Sequence, residues 1–274
     1  MVDIRGAGVE SDFDRGLSLI QKLGGVERPA VLDLFASVEA GAFGEECVGF
    51  IYGNVYHRPG LTLQARQLAT VGALTALGYA SQQLKFHATA ALNVGCSRQQ
   101  IVEAIIQVSS FAGFPATLNA LAAVREAFGG VESTPDPSES DEHAQPSDGR
   151  DRYERGLAFL EQVDGEAGRK VLDSLQDIAP DLARYIVEFT FGEIYPRPYL
   201  GLKDREIVTV AACTALGSAL PQLKVHVHGL LNVGGTRQEV VETLLHVAFY
   251  CGFPAALNAI GVAREVFAER GTIE

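Results

Sequence analysis

Residues 204–267, DREIVTVAACTALGSALPQLKVHVHGLLNVGGTRQEVVETLLHVAFYCGFPAALNAIGVAREVF, decide how the chain is read. Glycine and proline cut this stretch into apolar segments, and none of them alternates with a period of two, so the segments are predicted to be helices. Asp204 opens the first, which runs to Gly217. The second spans Pro221 to Asn232, with Gly234 placed to cap its C-terminus. Thr236-x-x-Glu239 is a capping box that opens the third. That helix stops at Gly252, and Pro254 suits the first turn of a fourth.

Residues 65–128 have the same skeleton. Arg66 answers Arg205, His87 answers His226, Gly95 answers Gly234 and Pro115 answers Pro254, each at the same separation. Upstream, YGNVYHRPGL (52–61) is answered by FGEIYPRPYL (191–200), and FDRGLSLIQKLGG by YERGLAFLEQVDG. The period is far longer than a solenoid repeat, so a whole domain is duplicated. The expected organisation is an all-α protein with a first domain at 1–128, an acidic Pro- and Ser-rich linker at 129–150 and a second domain at 151–274. The linker composition cannot bury apolar surface, which predicts a flexible tether.

Composition narrows the function. Of 274 residues, 47% are hydrophobic, and the net charge of −12 argues against nucleic acid or an anionic membrane as partner. Much of that net charge is local, because 129–149 holds Glu132, Asp136, Glu139, Asp141, Glu142 and Asp148 with no Lys or Arg. The N-terminus has no secretory h-region and no uninterrupted apolar run reaches bilayer length, so a cytoplasmic location is expected. Cys47, Cys96, Cys213 and Cys251 form no C-x-x-C, consistent with reduced thiols. No H-E-x-x-H, phosphate loop, dinucleotide fingerprint or nucleophile elbow occurs, so neither a metal nor a cofactor is expected.

The polar residues single out the second repeat. Glu242, His246 and Tyr250 are spaced four apart and stack on one face of an apolar helix, where they line either a pocket or a polar interface. Their first-repeat counterparts are Glu103, Gln107 and Phe111. His226 and His228 lie about 200° apart and cannot share a pocket. His226, like His87, is either a buried structural histidine or a catalytic one. Arg205, followed by Glu206, offers a fixed cation for a substrate carboxylate, and Arg197 and Arg58 sit in proline-stiffened loops. Tyr195, Glu193, Arg197 and His87 are the candidate substrate contacts.

The string FGEIYPRPYL…REIVTVAACTALG…QLKVHVHGLLNVGGTRQEVVETLLHVAFYCGFPAALNA resembles the carboxymuconolactone decarboxylase family, within the alkylhydroperoxidase D-like superfamily. The likeness covers both repeats, roughly 45–128 and 185–267. The peroxidase branch carries C-x-x-C followed four residues later by His. Ala219 and Gln222 stand at those cysteine positions before His226, and Ala80 and Gln83 before His87, which excludes thiol-based peroxide reduction of that type. The resemblance implies tandem compact helical domains, ring-like hexameric assembly and cofactor-free loss of CO2 from a carboxylated γ-lactone. A homotrimer of this duplicated chain would mimic such a hexamer. Under that reading His226 is the general acid, Arg205 anchors a carboxylate, and Glu206, Glu242, His246 and Tyr250 supply pocket polarity. An isomerase, a cyclase, another lactone-processing enzyme or a non-catalytic scaffold are the alternatives. Four replacements, Glu206 by Gln67, His228 by Thr89, His246 by Gln107 and Tyr250 by Phe111, point to a working second repeat and a retired first.

Overall fold

A computed structural model describes residues 10–129 and 149–271; most of the expected linker lies outside the described residues. Among them there is helix and no strand. The all-α expectation holds, and most helix boundaries fall where the punctuation put them.

The chain divides into two compact units, residues 1–59 and 60–274. In the first, α1 (Asp12–Gly24) is capped by the Ser11 hydroxyl and packs on a π-helical segment, Val48–Tyr52, that continues α3 (Gly41–Cys47). Arg15 Nε donates to the Gly53 carbonyl at 2.6 Å and ties α1 to the end of that segment. α2 (Ala30–Ser37) lies against α3.

The second unit opens with α4 (Leu63–Leu77), α5 (Ser81–Asn93) and a long segment, Arg98–Ala127, called α6 here. α7 (Arg152–Val163), α8 (Gly165–Asp173) and α9 (Pro180–Tyr185) lead into a π-helical stretch, Ile186–Ile194. α10 (Leu202–Leu216), α11 (Leu220–Asn232), α12 (Arg237–Cys251) and α13 (Phe253–Glu269) complete it. α10 begins two residues ahead of the expected Asp204, with Gly201 as its N-cap. The predicted capping box of Thr236 with Glu239 forms, and so does its first-repeat counterpart, Ser97 with Gln100.

The helix break in each repeat is a glycine in a conformation closed to other residues. Gly113 has φ 79° and ψ 170°, and Gly252 has φ 85° and ψ 154°. Proline two residues later starts the next helical run in both. By length and composition alone α6 is apolar enough to cross a membrane, but the Gly113 break interrupts it and Ile101, Ile105 and Val108 are wholly buried in the core.

The most extensive helix contact in the molecule joins α4 to α10, the same helix in the two repeats. Leu68, Val71 and Ile105 of the first repeat share one apolar cluster with Ile207, Val210 and Leu244 of the second. Compactness therefore does not follow the sequence repeat. Helices α4–α6 and α10–α13 are each apolar on more than one face, and each set buries the other's surplus face. The second repeat adds a satellite cluster in which Leu160, Val163, Phe191 and Tyr195 pack together. There Arg155 Nε bonds the Gly192 carbonyl at 3.0 Å, the counterpart of the Arg15 clasp.

Candidate active site

The contact between repeats brings polar residues together in two places related by exchange of the repeats. Arg205 on α10 bonds Glu103 Oε2 on α6 at 2.9 Å, and Arg66 on α4 bonds Glu242 Oε2 on α12 at 3.1 Å. Phe111 meets the ring of His226 edge-on at 5.0 Å between centroids, and Tyr250 meets His87 in the same way at 5.1 Å. Each repeat's histidine is thus walled by the other repeat.

Around His226 the surroundings are charged. Its Nδ1 lies 3.0 Å from Glu206 Oε2 and 3.6 Å from Asp164 Oδ1, and Tyr195 donates its hydroxyl to Glu206 Oε1. All four residues are buried. Burial alone pushes the imidazole pKa down, but the carboxylates of Glu206 and Asp164 outweigh it and raise it to about 9. Asp164 is raised to about 7, first by burial, against the pull of His226 and with a push from Glu206. Burial also holds the Tyr195 hydroxyl well above its ordinary value, so it keeps its proton and donates a hydrogen bond to Glu206.

The local sequence explains the arrangement. Glu206 and Arg205 are adjacent on α10, so they point in different directions: Glu206 toward α11 and Arg205 toward α6. Asp164 sits at the joint of α7 and α8, where its amide still bonds the Leu160 carbonyl at 2.8 Å. Asn232 at the end of α11 clamps that joint through the Val163 carbonyl at 2.7 Å. Gly229 makes room, since a Cβ there would stand 2.6 Å from Glu206 Oε2 and 3.2 Å from Asp164 Oδ1. The first repeat has Ala90 at this position.

Around His87 the surroundings are neutral. Its Nδ1 bonds Gln67 Oε1 at 2.9 Å, and burial lowers its pKa to about 3. His246 Nε2 lies 2.8 Å from the Thr70 hydroxyl, and burial, helped by Arg66, holds it well below its usual range.

The sequence-predicted residues therefore separate. His226, Glu206 and Tyr195 come together. Glu242, His246 and Tyr250 do share one face as expected, but that face meets Arg66, Thr70 and His87 of the first repeat, not His226. Of the two readings of that stripe, pocket wall or polar interface, these contacts place it at the interface with the first repeat. Arg205 as carboxylate anchor is corrected. It is fully buried, and its Nε, Nη1 and Nη2 already bond Leu200 O, Gln107 Oε1 and Glu103 Oε2 at 3.1, 3.2 and 2.9 Å. Arg197 also leans on Glu103, at 2.8 Å. Glu193 pairs at 2.9 Å with Arg152 in a half-exposed bridge away from the cluster. His228 faces elsewhere, as its helical angle required, bonded to Glu269 at 3.0 Å.

Sequence reading missed Asp164. Its signal was faint: the turn Asp164-Gly165 stands against Gly24-Gly25 in the first repeat, a difference hidden inside helix-stop punctuation. Asp164, Glu206 and His226 also offer three ligand atoms within 4.8 Å of one another, a set able to hold a cation. They come from three separate elements, so no sequence spacing announces them. A protonated Nδ1 shared between the two carboxylates satisfies the same geometry. Beside Asp164 a cleft of about 700 Å³ opens, walled by α8, α11 and the end of α13.

Comparison with known proteins agrees with this architecture. The sequence model of the carboxymuconolactone decarboxylase family matches residues 42–126 and again 180–265. A 4-carboxymuconolactone decarboxylase of Acinetobacter baylyi is 36% identical over 121 residues, covering 44% of this chain and 90% of that protein. A nitrosuccinic acid decarboxylase of Metarhizium robertsii is 34% identical over 80 residues, 29% of this chain and 55% of its own length. The crystal structure of a protein described as a γ-carboxymuconolactone decarboxylase subunit, from Burkholderia xenovorans, superimposes with a TM-score of 0.58 at 22% identity. It covers 96% of this chain and all of its own, and shares the fold. With both repeats matched, the chain belongs to the carboxymuconolactone decarboxylase family.

Proposed function

We propose that this protein is a decarboxylase of a small carboxylated substrate, a γ-lactone of the 4-carboxymuconolactone type, working without an organic cofactor through the His226–Glu206 pair of the second repeat. Loss of CO2 leaves an electron pair on carbon, which a neighbouring lactone carbonyl disperses. That carbon must then gain a proton near neutral pH. The observation that carries the reading is a buried imidazole kept protonated at neutral pH by two carboxylates. Its counterpart His87 is buried without any acid and stays neutral. Such contrasted titration marks acid–base chemistry more strongly than burial alone. Two relatives named as decarboxylases of unlike acids support the reaction class over isomerase, cyclase or scaffold.

His226 is the acid–base centre in this reading, Glu206 holds its Nδ1 proton, and Tyr195 fixes the rotamer of Glu206. The buried Arg205 links the repeats instead of binding substrate. Supplying 4-carboxymuconolactone and following CO2 release and loss of the lactone carboxylate by NMR tests it. Release abolished by His226→Gln supports the reading, and no release from wild type sinks it.

A further inference from the structure

With Arg205 committed inside the core, the substrate carboxylate needs another cation and the proton needs a route to open space. We propose that the cleft walled by α8, α11 and the end of α13 is the substrate site, taking a small carboxylate, and that Asp164 is the catalytic acid at its inner wall, handing on the proton held by His226. This rests on the decarboxylase reading and deepens it.

Three observations meet at Asp164. It lines the cleft, and among the residues doing so it alone belongs to the Glu206–His226 cluster. It is 5% exposed, and its Oδ1 has no hydrogen-bond partner among the described residues while lying 3.6 Å from His226 Nδ1. The first repeat, whose histidine is neutral, has glycine in its place. A cleft of about 700 Å³ falls within the ~300–1,000 Å³ typical of small-ligand sites.

The walls carry the missing cations. Lys170, Lys224 and Arg270 all line the cleft. Lys170 is held by Glu166 at 2.9 Å through side chains largely in solvent, and the half-exposed Lys224 by Glu269 at 2.7 Å and Glu265 at 3.1 Å. Solvent screens such pairs and leaves them weak, so a substrate carboxylate can take the place of the glutamates. Arg270 is oriented by His228 Nδ1 at 3.1 Å and the His228 carbonyl at 3.0 Å, which leaves it without an acidic partner of its own in these contacts.

The step balances. The C–CO2 bond breaks and CO2 departs, leaving its electron pair on carbon and dispersed into the lactone carbonyl. A new C–H bond forms with the proton of the Asp164 carboxyl. The carboxylate recovers a proton from His226 Nδ1, and solvent restores the imidazolium, so one proton is consumed for each CO2 released. An acid titrating near pH 7 is well matched to this task, because about half of it carries the proton at neutral pH and gives it up readily.

The test compares wild type, Asp164→Asn and Ala167→Trp with 4-carboxymuconolactone as substrate between pH 5 and 9. Wild-type kcat is expected to be flat at low pH and to fall as pH rises through about 7, where Asp164 loses its proton. Asp164→Asn should lose ~10²–10⁴-fold in kcat and lose that limb. Ala167→Trp fills the cleft one helical turn from Asp164 and should raise KM at least tenfold with the limb in place. Asp164→Asn that keeps wild-type kcat and its limb overturns the assignment while decarboxylation stands, the proton then leaving by another edge of His226. If Asp164→Asn fails to fold, Ala167→Trp decides: an unchanged KM removes the cleft as substrate site. Wild type inert to the lactone removes the decarboxylase reading, and this proposal with it.

Discussion

His226 and His87 occupy the same position in two copies of one helix, each buried and each roofed by an aromatic ring from the other repeat. Yet one is raised to about 9 against its burial, and the other is lowered by burial to about 3. The backbone is shared and so is the desolvation. The difference lies in Glu206 where the first repeat has Gln67, in Gly229 where it has Ala90, and in Asp164 packed beside them, which together supply two acids and the space to hold them. A buried histidine is therefore not a site in itself; the acids around it decide whether it carries a proton at neutral pH.

The severest way to break this comparison is to remove each ring. His226→Ala should lower decarboxylation by ~10²–10⁴-fold while His87→Ala changes it by less than about threefold, with the fold of each checked by circular dichroism. Equal losses would mean two working sites or one shared site.

The buried ion pairs come next. Removing one partner of a buried pair costs ~3–5 kcal/mol, because a charge is left alone in the core. Glu103→Gln removes the carboxylate that Arg205 meets at 2.9 Å and Arg197 at 2.8 Å, whereas Glu242→Gln removes the one that Arg66 meets at 3.1 Å. Denaturant unfolding should show the larger loss at Glu103, and the reverse order would mean that the second arginine on Glu103 adds nothing to stability.

Exchanging the acids sharpens the contrast further. Glu206→Gln should lower the His226 pKa from about 9, and Gln67→Glu should raise that of His87 from about 3, both read by imidazole NMR titration. Stability should follow with opposite signs. The elevated His226 value contributes stability that is full below about pH 6.5 and is lost as pH rises through about 9. The depressed His87 value costs stability as pH falls from about 6.5 toward 3. In Glu206→Gln the alkaline loss should shrink while the acid loss remains.

Cutting the chain between the repeats should matter least. Mild proteolysis should nick within 129–150 first, and the fragments should stay together with activity within about twofold, since α4 and α10 bury each other. First cleavage within 204–267 would place the weak point inside the core. Light scattering after size exclusion should give a homotrimer for intact and nicked protein alike; a stable monomer at micromolar concentration would remove the ring-like assembly.

Much of this fold was legible in sequence because its helix ends are written in chemistry: Gly113 and Gly252 with prolines behind them, and two capping boxes. The site was legible only where one repeat could be read against the other, which is how Glu206 stood out. Asp164 escaped because a carboxylate in a turn looks like punctuation. Arg205 was misread because charge can be seen in sequence but its partner cannot: Glu103 lies 102 residues away on the opposite repeat. Glu242, His246 and Tyr250 shared a face as their spacing required, yet spacing does not say whose histidine that face will meet.

The crossed arginine–glutamate pairs have a consequence for how such a molecule diverges. In an assembly of identical chains, every substitution appears at both ends of the dyad at once, so a change that disarms one site disarms its twin. Placing both partners in one reading frame removes that constraint. One half is then free to lose its acids while the other keeps them, and Arg66–Glu242 and Arg205–Glu103 keep the halves mated throughout. Asymmetry of this kind is open to a fused pair and closed to a symmetric one.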